Sequence, residues 1–225
     1  MEMTLPDEVP VMTLPGTALF PQALMPLHIF EPRYRHMLRD VLASDRLFAV
    51  AGLNSDQVNA SGGLDCPYRV ATVGIVRACQ KNDNGTSNLL LQGLCRIAIL
   101  SITCEEPYRR IRIRALTSEA GATDLENQAL RRELARLIRL KTQLAAGGSD
   151  EMVAFLKTVQ DPEAFVDIAA FSLCDDASLK QELLETLDVH HRLELFGRRL
   201  RFDIAQLKLR HRLQGRLPDE RISDN

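Results

Sequence analysis

Aromatic side chains are scarce, because the chain of 225 residues contains no tryptophan, three tyrosines and eight phenylalanines. Single-stranded nucleic acids are bound largely by stacking of their bases on such rings, so the composition offers little material for that kind of recognition. An excess of one charge is lacking as well, since 28 basic residues face 30 acidic ones for a net charge of −2. This balance excludes a general electrostatic attraction to nucleic acid or to a membrane surface.

Cysteine pairs at metal-binding spacing are also missing. The five cysteines are Cys66, Cys79, Cys95, Cys104 and Cys174. An odd number without a C-x-x-C pair fits neither a disulfide framework nor a zinc site, so we expect reduced cysteines that pack as small apolar residues. His190, His191 and Glu194 lie close together in sequence, but no H-E-x-x-H motif or further ligand accompanies them, and we predict no metal site.

Long apolar runs and catalytic motifs are absent too. No apolar run reaches the roughly 18 residues of a membrane-spanning helix, and the start MEMTLPDEVP lacks the order of an export signal, so we expect a cytoplasmic protein without membrane contact. No G-x-x-x-x-G-K-[ST] loop is present to bind ATP phosphates, and the histidines belong to no G-x-S-x-G or Cys/His signature. The sequence therefore predicts no catalytic residue, no cofactor and no enzyme.

The most informative stretch is residues 10–42, PVMTLPGTALFPQALMPLHIFEPRYRHMLRDVL. Its first part holds four prolines, and prolines so spaced suit strand ends and turns but not a helix interior. Beyond Phe30, the pair Glu31-Pro32 favours a helix start, and large apolar residues then recur at intervals of three and four. We expect bent strand segments followed by a helix from about Pro32 to Ala43.

The chain up to about residue 120 otherwise has the pattern of β-strands. Segments 46–52, 68–80, 87–92 and 108–116 are rich in β-branched and apolar residues, and Asn84-Gly85 favours a tight hairpin turn. In the last segment Ile111 and Ile113 alternate with arginines, which predicts a strand with one buried face and one solvent-exposed face. About half a dozen strands with a single early helix favour a compact bent sheet or small barrel. We expect an exposed loop at 54–63.

From Thr123 onward the apolar spacing becomes helical. We predict a long amphipathic helix that ends near Gly147-Gly148, shorter helices after Ser149, after Asp161 and from about Ala177, and a last helix of about 25 residues after Asp188. In the helix after Ser149 the residues expected to face inward are Met152, Val153, Phe155 and Leu156. The chain is thus predicted to be α+β, with a β domain at 1–120, a helical bundle at 121–217 and a tail at 218–225.

Three blocks of the sequence resemble the substrate-recognition domain at the N-terminus of Lon-type ATP-dependent proteases. The first is LP..ALFP....PLHIFEPRYRHML, and the second is a hairpin with Gly74, Gly85, Gly93 and Arg96 at the matching places. The third is DPEAFVDIAAFSLCDDASLKQELLETLDVHHRLELFGRRL, in which Asp167 and Arg192 fit the family pattern. The resemblance covers nearly the whole chain and implies a PUA-like pseudo-barrel of about six strands followed by a helical bundle. It does not extend to ATPase or protease modules, so we expect a free-standing copy of the domain.

The resemblance implies non-catalytic recognition of polypeptides. The partners would be exposed apolar peptide segments, or a separate protease or chaperone for which the chain acts as an adaptor. Large, adaptable side chains crowd between the turns of the N-terminal stretch, where they suit either peptide recognition or a core. The candidate peptide-binding residues are Phe20, Met25, Phe30, Arg33, Tyr34 and Met37.

An alternative function is binding of nucleic acid, in particular RNA, which PUA-like folds serve elsewhere. The last helix is rich in basic residues that can neutralise phosphates, Arg192 among them. The candidate residues are Arg198, Arg199, Arg201, Arg210 and Arg212. Basic residues near a helix C-terminus are also favoured by the helix dipole, and rings for base stacking are few, so nucleic acid is the less favoured partner.

Overall fold

The structure, a computed structural model, describes residues 5–54, 66–145 and 150–214. Within these ranges the elements are β1 (Glu8–Leu14), β2 (Leu24–Ile29), α1 (Pro32–Leu42), β3 (Leu47–Gly52), β4 (Val70–Lys81), β5 (Ser87–Cys104), β6 (Arg110–Ala115), α2 (Asp124–Leu144), α3 (Asp150–Thr158), α4 (Pro162–Leu173), α5 (Ala177–Glu185) and α6 (Val189–Gln214). The predicted α+β class is confirmed. The expected loop beyond Asn54, the expected helix end at Gly147-Gly148 and the tail at 218–225 lie outside the described residues.

The strands form one mixed sheet in the order β2-β5-β4-β3-β1-β6. β5 is 18 residues long and has three partners, because residues 87–98 pair with β4, residues 87–92 with β2 and residues 97–104 with β6. The β5–β6 pairing closes a ring of five strands, and β2 is added to β5 outside that ring. Pro26, which cannot donate a backbone hydrogen bond, suits this outer strand.

The inside of the ring is filled by small and β-branched side chains. They are Val9, Val11, Ala49, Ala51, Ala71, Val73, Ile97 and Ile111, each at most 1 % exposed. β6 alternates as predicted, since Ile111 and Ile113 are buried while Arg112 and Arg114 are exposed. Small side chains at these positions suit a ring of few strands, whose interior is just wide enough for the side chains to fill.

Helix α1 begins at Pro32, as the pair Glu31-Pro32 predicts, and ends at Leu42. Near its start the Tyr34 hydroxyl lies 3.4 Å from the backbone of Thr13, and near its end Tyr108 donates to the Asp40 carboxylate at 3.0 Å. Burial, helped by this hydrogen bond to Asp40, raises the pKa of Tyr108 above its ordinary value, so the hydroxyl keeps its proton and remains a donor. Both ends of α1 are thus held to the barrel strands and their connections.

A buried ion pair links the barrel to α4. Arg96, on β5, donates to both carboxylate oxygens of Asp167, at 2.6 Å from Nη1 and 2.7 Å from Nη2, and its Nε donates to the Leu184 carbonyl at 3.0 Å. The two side chains are 2 % and 1 % exposed. Buried charges are tolerated only when they are paired and hydrogen-bonded in good geometry, as they are here. The pair therefore fixes this part of α4, together with α5, against the barrel.

The chain forms two compact units. The first contains the chain up to Glu119 together with Val166–Asp188, and the second contains Ala120–Phe165 together with the chain from Val189 onward. The predicted division near residue 120 groups residues 166–188 with the C-terminal helices, whereas the structure groups them with the barrel. The physical reason is that Asp167 and the Leu184 carbonyl are the partners of a barrel arginine.

In the second unit α2 packs along α6. The buried contacts come from Leu134 and Ile138 on α2 and from Leu193, Phe196, Leu200 and Ile204 on α6. Arg192, which the sequence places in an exposed basic stretch, is fully buried and lies 3.4 Å from the Glu163 carboxylate. The prediction for α3 was partly wrong, since Val153 and Leu156 are buried but Phe155 is 50 % exposed. Residues 153 and 156 share one helix face, and residue 155 points away from it.

A capping box starts α2. Thr123 Oγ1 accepts from the Glu126 amide at 3.3 Å, and Glu126 Oε2 accepts from the Thr123 amide at 3.0 Å. The Thr123 hydroxyl also donates to Glu126 Oε2 at 2.6 Å, and this bond, together with the one from the Thr123 amide, lowers the pKa of Glu126. We expect Thr123→Ala to reduce the free energy of unfolding by about 1 kcal/mol, measured by urea denaturation. Gln143 is an exposed residue of the same helix, and Gln143→Ala should change the free energy of unfolding by less than about 0.5 kcal/mol. Equal effects of the two substitutions would contradict the role of the cap.

Candidate functional site

A groove of about 710 Å³ lies between α1 and the turn end of the β4–β5 hairpin. Helix α1 contributes Pro32, Arg35, His36, Leu38, Arg39, Leu42 and Ala43, and the hairpin contributes Cys79, Lys81, Gly85 and Ser87. All of these residues belong to the first unit. The volume is in the usual range for sites that hold a small ligand or a few side chains of a larger one.

The hairpin turn is a five-residue loop at 82–86 instead of a two-residue turn. The Asn82 amide donates to the Thr86 carbonyl at 2.9 Å, and the Gly85 amide donates back to the Asn82 carbonyl at 3.0 Å. Gly85 has a positive φ of 79°, and the guanidinium of Arg35 occupies the space that a Cβ would take there. Glycine at this position therefore permits both the turn and the close approach of α1 to the hairpin.

The floor of the groove is apolar. Leu38 is 4 % exposed and Leu42 is 38 % exposed, and the partly buried thiol of Cys79 continues the surface on the hairpin side. Covering such a surface with an apolar side chain removes it from water and therefore favours binding.

The rim of the groove is basic. Arg35 and Arg39 lie one helical turn apart on α1 with exposed side chains, and exposed Lys81 lies on the hairpin. Among the described lining residues there is no carboxylate. The neighbouring Asp40 accepts from Tyr108 and lies 3.7 Å from Arg39 Nε, an exposed contact of the kind that contributes little. The groove thus combines an apolar floor with a positive rim.

Four of the six predicted peptide-binding residues are in the core. Phe20 and Met37 are 0 % exposed, Met25 is 5 % and Tyr34 is 6 %. Side chains buried to this degree cannot contact a ligand in this conformation, so core packing accounts for them. The other two are accessible: Phe30 is 60 % exposed, and Arg33 lies 4.6 Å above the Tyr34 ring and 3.0 Å from the Glu31 carboxylate. Both flank Pro32, at one end of the groove.

The sequence analysis missed the residues that form the groove. Arg35, Arg39 and Leu42 follow one another at intervals of four and three, so the outer face of α1 could have been found from helical spacing. Their proximity to Lys81 and Gly85 depends on the packing of α1 beside the hairpin, which no local signal reveals.

The chain matches a known protein family over most of its length. Residues 8–201 match the family model described as the ATP-dependent protease La (LON) substrate-binding domain. The chain belongs to this family. The resemblance found in the three sequence blocks is therefore confirmed.

Solved structures share the fold of this chain, and two of them illustrate the likeness. The N-terminal domain of Mycobacterium avium complex Lon protease matches with a TM-score of 0.66 at 22 % identity, over 88 % of this chain and 98 % of that one. The Lon N-terminal domain protein from Xanthomonas campestris matches with a TM-score of 0.60 at 19 % identity, over 84 % of this chain and 96 % of that one. At this level of identity the likeness shows the fold alone.

The relatives of this chain by sequence are much longer proteins. Lon protease of Desulfosudis oleivorans is 26 % identical over 216 residues, which cover 96 % of this chain and 26 % of that protein. Lon protease 2 of Sorangium cellulosum is 31 % identical over 198 residues, which cover 84 % of this chain and 24 % of that protein. The chain thus spans about a quarter of the length of these relatives.

Two of the five predicted nucleic-acid-binding arginines form ion pairs with carboxylates of the same chain. Arg199 Nε donates to Asp203 at 2.7 Å, and Arg201 donates to Glu133 at 2.8 Å. The remaining three, Arg198, Arg210 and Arg212, are exposed. The same part of α6 also exposes apolar side chains, with Phe202 at 58 %, Leu209 at 51 % and Leu213 at 58 %. A surface of this mixed kind is poorly matched to a row of phosphates.

The histidines and the glutamate at the start of α6 make contacts with one another and with Asn127. His190 Nδ1 lies 2.9 Å from the Asn127 side-chain oxygen, and His190 and His191 lie 3.8 and 3.9 Å from Glu194. In the part of the chain that the structure describes, no three His, Cys, Asp or Glu side chains are placed to hold a metal ion. No described helix is long and apolar enough to cross a membrane.

Proposed function

We propose that this protein binds polypeptide segments in the groove between α1 and the β4–β5 hairpin and leaves them chemically unchanged. The observation that carries the proposal is an open groove with an apolar floor, in a member of a family described as a substrate-binding domain. The groove lies beside α1, which is held at both ends and therefore offers a preformed surface. A preformed site saves part of the ordering cost of binding.

In this proposal an apolar side chain of the segment covers Leu42 and Cys79, and exposed Phe30 and Arg33 extend the contact at the Pro32 end. Burial of each aliphatic side chain contributes roughly 1.5–3 kcal/mol, and immobilising a flexible segment offsets much of that gain. The binding of any one segment is therefore weak and reversible. That behaviour suits a recognition element that presents segments to a separate protease.

The test is a peptide-binding titration measured by fluorescence anisotropy. The probe is the neutral peptide GSQVQLQGS carrying fluorescein, and we expect Leu42→Gln to weaken its binding by roughly three- to tenfold, because polar side chains do not replace the lost apolar contact. The matched control is Leu125→Gln, since Leu125 is 75 % exposed and lies in the second unit. Equal losses in the two variants, or no binding by the unmodified protein, would disprove the proposed site.

The absence of catalysis is tested on the same mixture. Mass spectrometry of the peptide after prolonged incubation, with and without ATP and magnesium, should show the intact mass only. A cleaved or modified peptide that persists after repurification of the protein would refute the non-enzymatic assignment.

A further inference from the structure

We infer that the groove prefers segments in which two carboxylate side chains flank one apolar side chain, bound in an extended conformation. This inference rests on the proposed function and adds the chemical class of the segment. It is carried by three observations: the spacing of two arginines on α1, a third cation on the hairpin, and the apolar floor between them.

The spacing of Arg35 and Arg39 fits alternate residues of an extended chain. Residues four apart on a helix have Cβ atoms about 5–6 Å apart. Alternate residues of an extended segment point to the same side and are about 6.5 Å apart. Two carboxylates at positions i and i+2 can therefore each meet one guanidinium, and such charge-assisted hydrogen bonds are the strong ones.

The residue between the two carboxylates points to the opposite side of the segment. On that side the groove offers the hairpin wall with the partly buried Cys79, so an aliphatic side chain suits the middle position. Lys81, on the hairpin, adds a further cation for an acidic neighbour. Gly85 leaves room for the Arg35 guanidinium beside the hairpin turn.

The positive rim is a local property of the groove. The whole chain has a net charge of −2, so the cations on the rim do not reflect a generally basic protein. A second concave site, of about 260 Å³ between α2 and α6, is lined by Glu133 and Glu194 as well as by Arg198 and Arg201. That site mixes both signs and offers no such preference.

Binding of three fluorescein-labelled peptides tests the inference. They are the acidic GSEVELEGS, the neutral GSQVQLQGS and the basic GSKVKLKGS. Since two partly exposed ion pairs are added, we expect the acidic peptide to bind about tenfold more tightly than the neutral one at low salt, and the basic peptide more weakly than either. The advantage should shrink as the salt concentration rises, because exposed charges are screened.

Charge reversal on α1 supplies the decisive variant. Arg35→Glu/Arg39→Glu should remove the preference for the acidic peptide. The matched control is Arg132→Glu/Arg136→Glu, which reverses two exposed arginines at the same spacing on α2 and changes the net charge equally. The control should keep the preference, and circular dichroism should show all three proteins folded. Equal loss of the preference in both variants would overturn the inference, because net charge alone would then explain it.

The remaining outcomes separate this inference from the function on which it rests. If the acidic and neutral peptides bind equally, and Leu42→Gln still weakens both, the inference fails and the proposed function stands. If no peptide binds, both fail. If an oligouridylate displaces the acidic peptide at an equal concentration, the rim recognises phosphates as well as carboxylates, and the inference is again overturned.

Discussion

Replacing Asp167 with alanine is expected to lower the free energy of unfolding by roughly 3–5 kcal/mol. The change leaves the Arg96 guanidinium, which is 2 % exposed, buried without the carboxylate that accepts two of its hydrogen bonds. A buried charge without its partner has neither water nor a counter-ion to stabilise it. Urea denaturation followed by circular dichroism measures the loss, and Asp167→Asn, which keeps an acceptor oxygen, should give a smaller one.

The control for this prediction removes both charges together. In Arg96→Met/Asp167→Leu no charge remains buried, and replacements of buried ion pairs by apolar residues of similar volume are often neutral or stabilising. We therefore expect the double variant to be more stable than Asp167→Ala, even though the Leu184 carbonyl loses a donor. A double variant that is less stable than the single one would show that the cost does not come from the unpaired arginine.

Gly93→Ala is expected to reduce the free energy of unfolding by about 3 kcal/mol, at the upper end of the usual cost of overpacking. A Cβ at this position would overlap the carbonyl oxygen of Phe20. The opposing backbone cannot easily move, because the Gln22 amide donates to the Gly93 carbonyl and the Gly93 amide donates to the Ala23 carbonyl, both at 2.9 Å. Thermal denaturation measures the loss.

Gly197→Ala is the matched control, because it makes the same chemical change at a buried position where a Cβ has room. Gly197 lies inside α6, and a Cβ there would meet the Leu134 side chain at 3.5 Å, an ordinary contact. Alanine is favoured over glycine in a helix interior by roughly 0.5–1 kcal/mol. The two substitutions should therefore shift the midpoint temperature in opposite directions, and a destabilised Gly197→Ala protein would contradict this explanation.

Elements with local signals were predictable from the sequence. Pro32 marks the start of α1, and the Asp161-Pro162 pair marks the start of α4, where the Asp161 carboxylate accepts from the Ala164 amide at 2.7 Å. The alternation on β6 likewise gives its buried and exposed faces. Capping and periodicity involve residues only a few positions apart, so they can be recognised without knowing the fold.

Buried charges were not predictable in the same way. Composition places arginine on the surface, yet Arg96 and Arg192 are among the most buried large side chains of the described chain. Each has an acidic neighbour on α4, Asp167 for Arg96 and Glu163 for Arg192, far from it in sequence. The grouping of residues 166–188 with the barrel follows from the first of these contacts and was missed for the same reason.

The candidate site was predictable only in its neighbourhood. The stretch around α1 was singled out, and Phe30 and Arg33 are exposed there. The large apolar residues predicted with them are buried in the core. A bulky side chain near a turn suits a core and a binding site equally well, so the sequence alone did not separate the two roles. The groove depends on Arg35 lying against Gly85, a contact between distant parts of the chain.

Arg96 and Asp167 are 71 residues apart in the chain, which has a consequence for synthesis on the ribosome. At about 5–20 residues per second, roughly 4–14 s pass between the translation of the arginine codon and that of its partner. By the end of that interval every strand of the barrel has been made, while Arg96, which faces α4 on the outer side of β5, still lacks its counter-ion. The nascent barrel therefore reaches its final stability only after α4 has emerged, and premature termination upstream of that helix would leave a polypeptide prone to degradation.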